Sequence, residues 1–350
     1  FTLSAIQMLT FIIIGNMILG VEGMLLDYWL ILFSTACFAN MLGLNISASF
    51  NSAVTIYILI PFLIIPQILF SGVLVKFEKL NPVITSQSEV PIIGDIMASR
   101  WSFEALAVNQ FVVNDYENLF YDYDQQMSEA NFKKNFWIPA MKAKVGKFSQ
   151  YLSDPGLYSN KEIDRDFKTV VNEVNDENKL GHEFTFDEIG QFNREQLTAE
   201  LLTDFATHLA TLNKVYIRQY NWNSDEKDRI IRDFQSTEEG KAEFSSLRNN
   251  HENESLTDLV TNKNEFNQIT EYDGKLIQRA DPVFNIPKEM GSHFYAPKKL
   301  LFNRYYPTKT VNLWVLWGMS IFLAITLYFD AFLALMNMFG KLSIFKKKEF

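Results

Sequence analysis

AVTIYILIPFLIIPQILFSGVLV, residues 53–75, contains no Asp, Glu, Lys, Arg or His. About 20 mostly apolar residues carry a helix across roughly 30 Å of hydrocarbon, so the stretch predicts a membrane span, kinked by Pro61 and Pro66. Working outward, residues 28–50 form a second such run, separated from the first only by Asn51 and Ser52, which leaves room for no more than a tight turn between antiparallel helices. Residues 3–20 form another, in which Phe11-Ile12-Ile13-Ile14 is hard to place in water. A last apolar run at 311–336 lies within a span taken as 307–338. The fold class expected is an all-α polytopic membrane protein, with four transmembrane helices and a large, mainly helical extracytoplasmic domain.

The overall composition conceals this division. A hydrophobic fraction of 48% and a mean hydropathy of -0.04 would suit a soluble protein. Residues 1–75 carry only Glu22 and Asp27, while 311–350 carry Asp330 and Glu349 against Lys341, Lys346, Lys347 and Lys348. The ends thus contribute -2 and +2, and the net -9 belongs to residues 76–310. A segment so acidic, with no basic stripe, excludes nucleic acid as a partner. Cys37 is the only cysteine, so neither an internal disulfide nor a thiolate metal cluster is available. The chain opens at Phe1 without a basic n-region or cleavage site, and the start is read as a cut within a longer protein.

Lys346-Lys347-Lys348 follows the last span and places the basic tail, 339–350, in the cytoplasm. Four crossings then put residues 76–310 and the Val21–Asp27 loop outside a plasma or inner membrane, and the Asn51 turn and the N-terminus inside. Between the spans, 76–121 reads as a membrane-proximal re-entrant or amphipathic segment, with Ile92, Ile93, Ile96 and Met97 on its apolar side, and 122–306 as the acidic external domain. Leu197, Leu201, Phe205, Leu209, Leu212 and Tyr216 recur in steps of four and three along one face of a long helix. Ile163, Phe167, Val170, Val171 and Val174 mark a second helix. Val145, Phe148 and Leu152 mark a third that starts near Pro139. Ser224 before Asp225 and Glu226 predicts an N-cap. Asp154-Pro155-Gly156 predicts a turn, and 281–297 an irregular extended stretch.

Two blocks carry a family resemblance. Phe70-Ser71-Gly72-Val73-Leu74-Val75, followed by Arg100-Trp101-Ser102-Phe103-Glu104-Ala105-Leu106-Ala107-Val108-Asn109-Gln110-Phe111, resembles the fifth span and following segment of G-subfamily ABC exporters, which typically read F-S-G and then R-Y-x-F-E-A-L-x-x-N-E-F. Trp101 stands where the family often has Tyr, and Gln110 where it has Glu. The resemblance covers roughly 1–120 and 305–340 and is similar to a bacterial form with an enlarged external domain. It makes the four spans the family's third to sixth, the last four of six. It implies Val73 and Leu74 as an external gate, Ile65, Ile68 and Leu69 as candidates for the substrate path, and Gly72, Arg100, Glu104 and Asn109 as structural residues of the re-entrant region. It also implies a homodimer in contact with lipid, and a nucleotide-binding domain in the same polypeptide or a separate subunit.

The bare residues leave other readings open. Val73, Leu74, Ile65, Ile68 and Leu69 also suit packing or lipid-facing positions. Arg100 and Glu104, at i and i+4, suit an exposed pair worth a few tenths of a kcal/mol, with a structural role. Asn16, Asn40, Asn45, Gln67 and Asp330 are costly in a span and serve either function or interhelical hydrogen bonding. No G-x-x-x-x-G-K-S/T loop exists, so ATP and Mg are expected at a nucleotide-binding domain outside this sequence, with no cofactor here. His182, His208, His251 and His293 form no ligand motif, no metal site is expected, and no catalytic motif marks an enzyme. The function expected is therefore the permease part of an ATP-driven ABC exporter, acting by alternating access on a lipophilic substrate. The alternative is a membrane-anchored extracytoplasmic binding, sensor or force-transmitting module.

Overall fold

The structure is a computed structural model that describes residues 1–50, 52–81, 85–181 and 183–335. The turn at Asn51, His182 and the basic tail lie outside these residues. The chain divides into two compact units, Phe1–Asp115 with Ile286–Phe350, and Tyr116–Asn285. Helix accounts for 71% of the described residues, with little sheet.

The first unit contains helices α1 (Thr2–Leu19), α2 (Leu25–Ser49), α3 (Ala53–Leu69), the single turn α4 (Ile92–Asp95), α5 (Ala98–Val113) and, after the second unit, α12 (Thr308–Tyr328). Among the described residues α1, α2 and α12 are long and apolar enough to cross a membrane. Helix α3 is apolar but has 17 residues, about 26 Å of rise. It stops at Leu69 rather than continuing to residue 75, because Gly72 adopts a left-handed backbone, φ 86°, that no helix contains. Helices α2, α5 and α12 pack on one another, with Ile31, Ala105 and Leu313 buried where they meet, and α1 packs on α2.

The second unit contains α6 (Tyr121–Phe132), a π-helical turn at Lys133–Trp137, α7 (Ile138–Ser153), α8 (Asn160–Asn178), α9 (Ala199–Gln235), α10 (Glu238–His251), α11 (Glu254–Val260) and a hairpin of β1 (Ile269–Tyr272) with β2 (Lys275–Gln278). Its core is made by the periodic faces read from the sequence. Leu201, Phe205, Leu209, Leu212 and Tyr216 of α9 are buried with Ile163, Phe167, Val170 and Val174 of α8, and the Phe148 ring of α7 stacks on Phe167 at 4.4 Å between centroids. Asp154 caps its turn by accepting from the Gly156 N–H at 3.0 Å.

Beside its apolar face, α8 carries an acidic ladder facing the Lys133–Ser153 segment. Lys144 donates to Asp166 (2.7 Å) and to Glu271 (2.9 Å), Lys147 to Asp166 (2.6 Å) and Glu162, Lys133 to Glu177, and Trp137 Nε1 to Glu173 (2.6 Å). Each buried charge on this seam therefore meets opposite charge or a hydrogen bond, the condition for tolerating it.

Ser224 is not an N-cap: α9 runs through it without a break for 37 residues. The polar cluster there would suit a helix start, but packing decides otherwise. Asn223 is fully buried and Lys227 holds Asp124 of α6 at 2.7 Å, so this part of α9 is fixed as helix interior against α6.

Among the described residues two hairpins, four strands in all, depart from the expected all-α fold. In the first unit β3 (Lys298–Leu301) pairs antiparallel with β4 (Arg304–Pro307), which leads directly into α12, while 286–297 is irregular.

Candidate functional site

Helix α3 buries none of its residues, so Ile65, Ile68 and Leu69 stay about half exposed. The chain then turns. Ser71, itself buried, donates to Ile68 O at 2.8 Å and accepts from the Val73 N–H at 3.3 Å, and Val73 and Leu74 project from the turn, Leu74 at 64% exposure. Gly72 has a reason inside the chain: a Cβ there would lie 2.5 Å from the Phe294 ring and 2.9 Å from Phe77. Gln67, the polar residue of this span, ties it to α5 by accepting from the Ser99 N–H at 3.1 Å.

The one-turn periodicity of α5 puts Arg100 and Glu104 on the face turned toward α12. The pair is buried, Arg100 1% exposed and Glu104 0%, so the small worth of an exposed pair does not apply to it. The reason lies far along the chain. Lys299 of β3 donates to Glu104 Oε2 at 2.5 Å and to Asn312 Oδ1 at 2.9 Å, and Asn312 Nδ2 donates to the same Glu104 oxygen at 2.8 Å and to Trp101 O at 2.9 Å. Both cations lie over the Trp101 ring, the Arg100 guanidinium carbon 3.8 Å and the Lys299 nitrogen 4.5 Å from its centroid. Arg100 approaches Glu104 and Asp95 only to 3.5 Å each, which is coulombic contact rather than hydrogen bonding.

Two buried cations thus share one buried carboxylate. Burial acts to raise the Glu104 carboxyl, but Arg100 and Lys299 outweigh it and hold the group below the usual carboxylate range. Burial acts equally against Lys299, and with the Arg100 charge beside it drives the ammonium down to about 8 despite Glu104. Arg100 Nε and Nη1 and Glu104 Oε1 are buried without a hydrogen-bond partner. The cluster is therefore polar, tightly coupled and incompletely satisfied, a state that a small shift of α5 against α12 would change.

Asn109, two turns beyond Arg100 on α5, belongs to a separate junction. It donates to Asp27 Oδ2 at 2.7 Å, and Lys309 at the start of α12 donates to Asp27 Oδ1 at 2.9 Å. Further down, Trp317 Nε1 donates to Ser34 (3.1 Å), Thr35 to Ser102 (2.7 Å), and Asn45 Nδ2 to the Leu323 carbonyl (2.8 Å), so α2 is joined to α5 and α12 at several levels. Asn40 bonds Ser4 of α1 at 2.7 Å. Asp330 is exposed just past α12.

Of the residues that complete these sites, Asn312 carried a usable signal, a polar side chain in the first turns of a span. Asp27 and Lys309 were legible only as charges at span ends. Lys299 carried no local signal, because what makes it special is the carboxylate it meets 195 positions away.

Residues 1–111 match the family model described as ABC-2 type transporter. This segment is an ABC-2 transporter membrane domain. No curated protein and no solved structure matches the chain significantly. The ABC-2 match takes in α1, α2, α3 and nearly all of α5, with Arg100, Glu104 and Asn109, and leaves outside it the residues that complete both junctions, Lys299, Lys309 and Asn312. Together with the apolar helices it makes the chain a multi-pass membrane protein carrying the permease part of an ABC transporter, a kind of domain that works with a nucleotide-binding ATPase.

Proposed function

We propose that this ABC-2 permease is of the G-subfamily type and exports a lipophilic substrate by alternating access, with four spans, residues 76–310 outside and the C-terminus inside. ATP and Mg act at a nucleotide-binding domain in the same polypeptide or a separate subunit, and two copies of the permease form the path. The observation that carries this reading is α3: in an ABC-2 domain, an uncharged, mostly apolar helix that buries none of its residues in its own chain and is followed by projecting Val73 and Leu74 is suited to face a second copy across a substrate path. In such a dimer Val73 and Leu74 meet their symmetry mates as a dry external gate, and Ile65, Ile68 and Leu69 line the path below. Nucleotide binding shifts the population between inward-open and outward-open states, and the unsatisfied cluster at α5 and α12 supplies packing that differs between them.

The test uses the full-length protein with its ATPase in liposomes. Val73→Ala with Leu74→Ala is expected to raise basal ATPase activity or alter substrate release without loss of assembly, and Val73→Ser with Leu74→Ser to do more by wetting the constriction. Transport and ATPase equal to the parent in both variants refutes the gate. Cysteine labelling of intact cells is expected to reach Ser224→Cys and spare Ser343→Cys, and the reverse pattern overturns the orientation.

A further inference from the structure

The two hairpins of this chain have turns of the same backbone form and different chemistry. Both close through two residues with positive φ: Asp273 and Gly274 at 46° and 72° between β1 and β2, Phe302 and Asn303 at 50° and 60° between β3 and β4. Asp-Gly is the pair such a turn favours, since Gly pays no steric cost there. Phe at the first position does pay, and Phe302 recovers nothing from the fold, for its side chain is 90% exposed. A strained, solvent-directed aromatic ring is selected for something other than this chain's own packing.

Its position says what. Strand β4 ends at Pro307 and the spanning helix α12 begins at Thr308, so the hairpin is continuous with the end of a span. It is also folded against that end: the Tyr306 ring packs on Trp314 in the second turn of α12 at 5.2 Å between centroids, and Lys299, paired with Tyr306 in the hairpin, reaches Asn312. Trp314 itself is half exposed, as an aromatic at a membrane boundary would be. From Tyr306 to the turn is a further two residue pairs, about 7 Å. The interfacial layer on each side of the hydrocarbon is about 5–8 Å thick, so the turn stays within it or at its acyl edge. Exposed Arg304 stands next to the turn, a charge for lipid phosphates, while Tyr305 after it donates its hydroxyl to Pro287 O at 3.1 Å and ties the hairpin to the chain before it.

We propose that the Phe302–Asn303 turn is a lipid-surface anchor, with the Phe302 ring inserted at the boundary between headgroups and acyl chains and Arg304 on the phosphates. It fixes the outer end of α12, and with it Lys299 and Asn312, at a set depth in the bilayer. The inference rests on reading α12 as a span, and the experiment keeps the two separable.

The full-length protein, with buried Cys37 replaced by Ala, carries a single NBD fluorophore at Phe302→Cys or, as a reference on exposed α12, at Phe322→Cys. Each is reconstituted in phosphatidylcholine–phosphatidylglycerol vesicles containing lipids with a doxyl group either close to the headgroup or near the chain end. At position 302 the emission is expected to be blue-shifted, quenched most by the shallow doxyl and protected from aqueous iodide. Iodide quenching without doxyl quenching at 302, with doxyl quenching at 322, overturns the anchor and leaves the span intact. A blue shift at 302 quenched by neither agent also overturns it, because the ring then lies against protein, such as a second copy. No doxyl quenching at either position overturns the span reading as well.

Discussion

Both units of the molecule bury charge between helices, and they do so on opposite terms. Along the α7–α8 seam of the second unit, Lys133, Lys144 and Lys147 meet Glu162, Asp166, Glu177 and Glu271, so carboxylates outnumber cations and each ammonium is close-bonded. In the cluster of the first unit Arg100 and Lys299 lean on Glu104, with Asp95 at the margin and donors left over. A satisfied network fixes one packing. An unsatisfied one leaves its helices with little to lose by rearranging, which suits a permease and would be a defect in a scaffold.

The contrast is tested most severely at Glu104. Glu104→Ala leaves two buried cations facing each other and is expected to cost about 3–5 kcal/mol, seen as loss of the monodisperse full-length protein in detergent. Lys299→Met leaves the Arg100–Glu104 pair and is expected to be milder. Equal losses would show that Glu104 has no larger share in the cluster than Lys299.

Asp166→Asn in the second unit is expected to cost less, about 1–3 kcal/mol, since Lys144 keeps Glu271 and Lys147 keeps Glu162. Burial works against the Asp166 carboxylate, but the hydrogen bonds and charges of Lys144 and Lys147 prevail and hold its folded value below the unfolded value near 3.8. Its contribution is therefore fully present above that pH and is lost as pH falls through the folded value. Melts of residues 116–285 are expected to show a parent–variant gap that closes in acid. A gap independent of pH would remove the ionic explanation.

Glu117 behaves in the opposite sense. Burial first, and the neighbouring charge of Asp124 second, push its carboxyl up to about 7. A raised acid takes up a proton on folding, so the fold loses stability as pH rises from about 4.5 to about 7. Glu117→Gln is expected to match the parent below that window and to melt a few degrees higher above it, by about 1 kcal/mol. A variant no more stable than the parent above pH 7 would overturn the shift.

The smallest effect is at the strained turn. Phe302→Asn, a residue that tolerates positive φ, is expected to raise detergent stability by up to about 1 kcal/mol, and Asp273→Asn in the other hairpin to change nothing measurable. Loss of stability at position 302 would mean that the ring packs within the fold.

Apolar runs of about 20 residues and helical spacing are local properties, and they determined the apolar helices Thr2–Leu19, Leu25–Ser49 and Thr308–Tyr328, the last ending before the 336 read from the sequence, and the apolar faces of α7, α8 and α9, because removing those side chains from water dominates whatever the rest of the chain does. The F-S-G and Arg100–Glu104–Asn109 blocks likewise carried the ABC-2 reading in their own letters. Where a helix continues, as α9 does through Ser224, and whether a charged pair such as Arg100 and Glu104 is exposed or buried, was decided by tertiary structure. Each depends on a partner distant in sequence, Asp124 for Lys227 and Lys299 with Asn312 for Glu104. Spacing of three or four residues fixes which side chains share a face. It is silent on what that face meets, and the low dielectric of the place where it meets it makes a weak surface pair into a buried site.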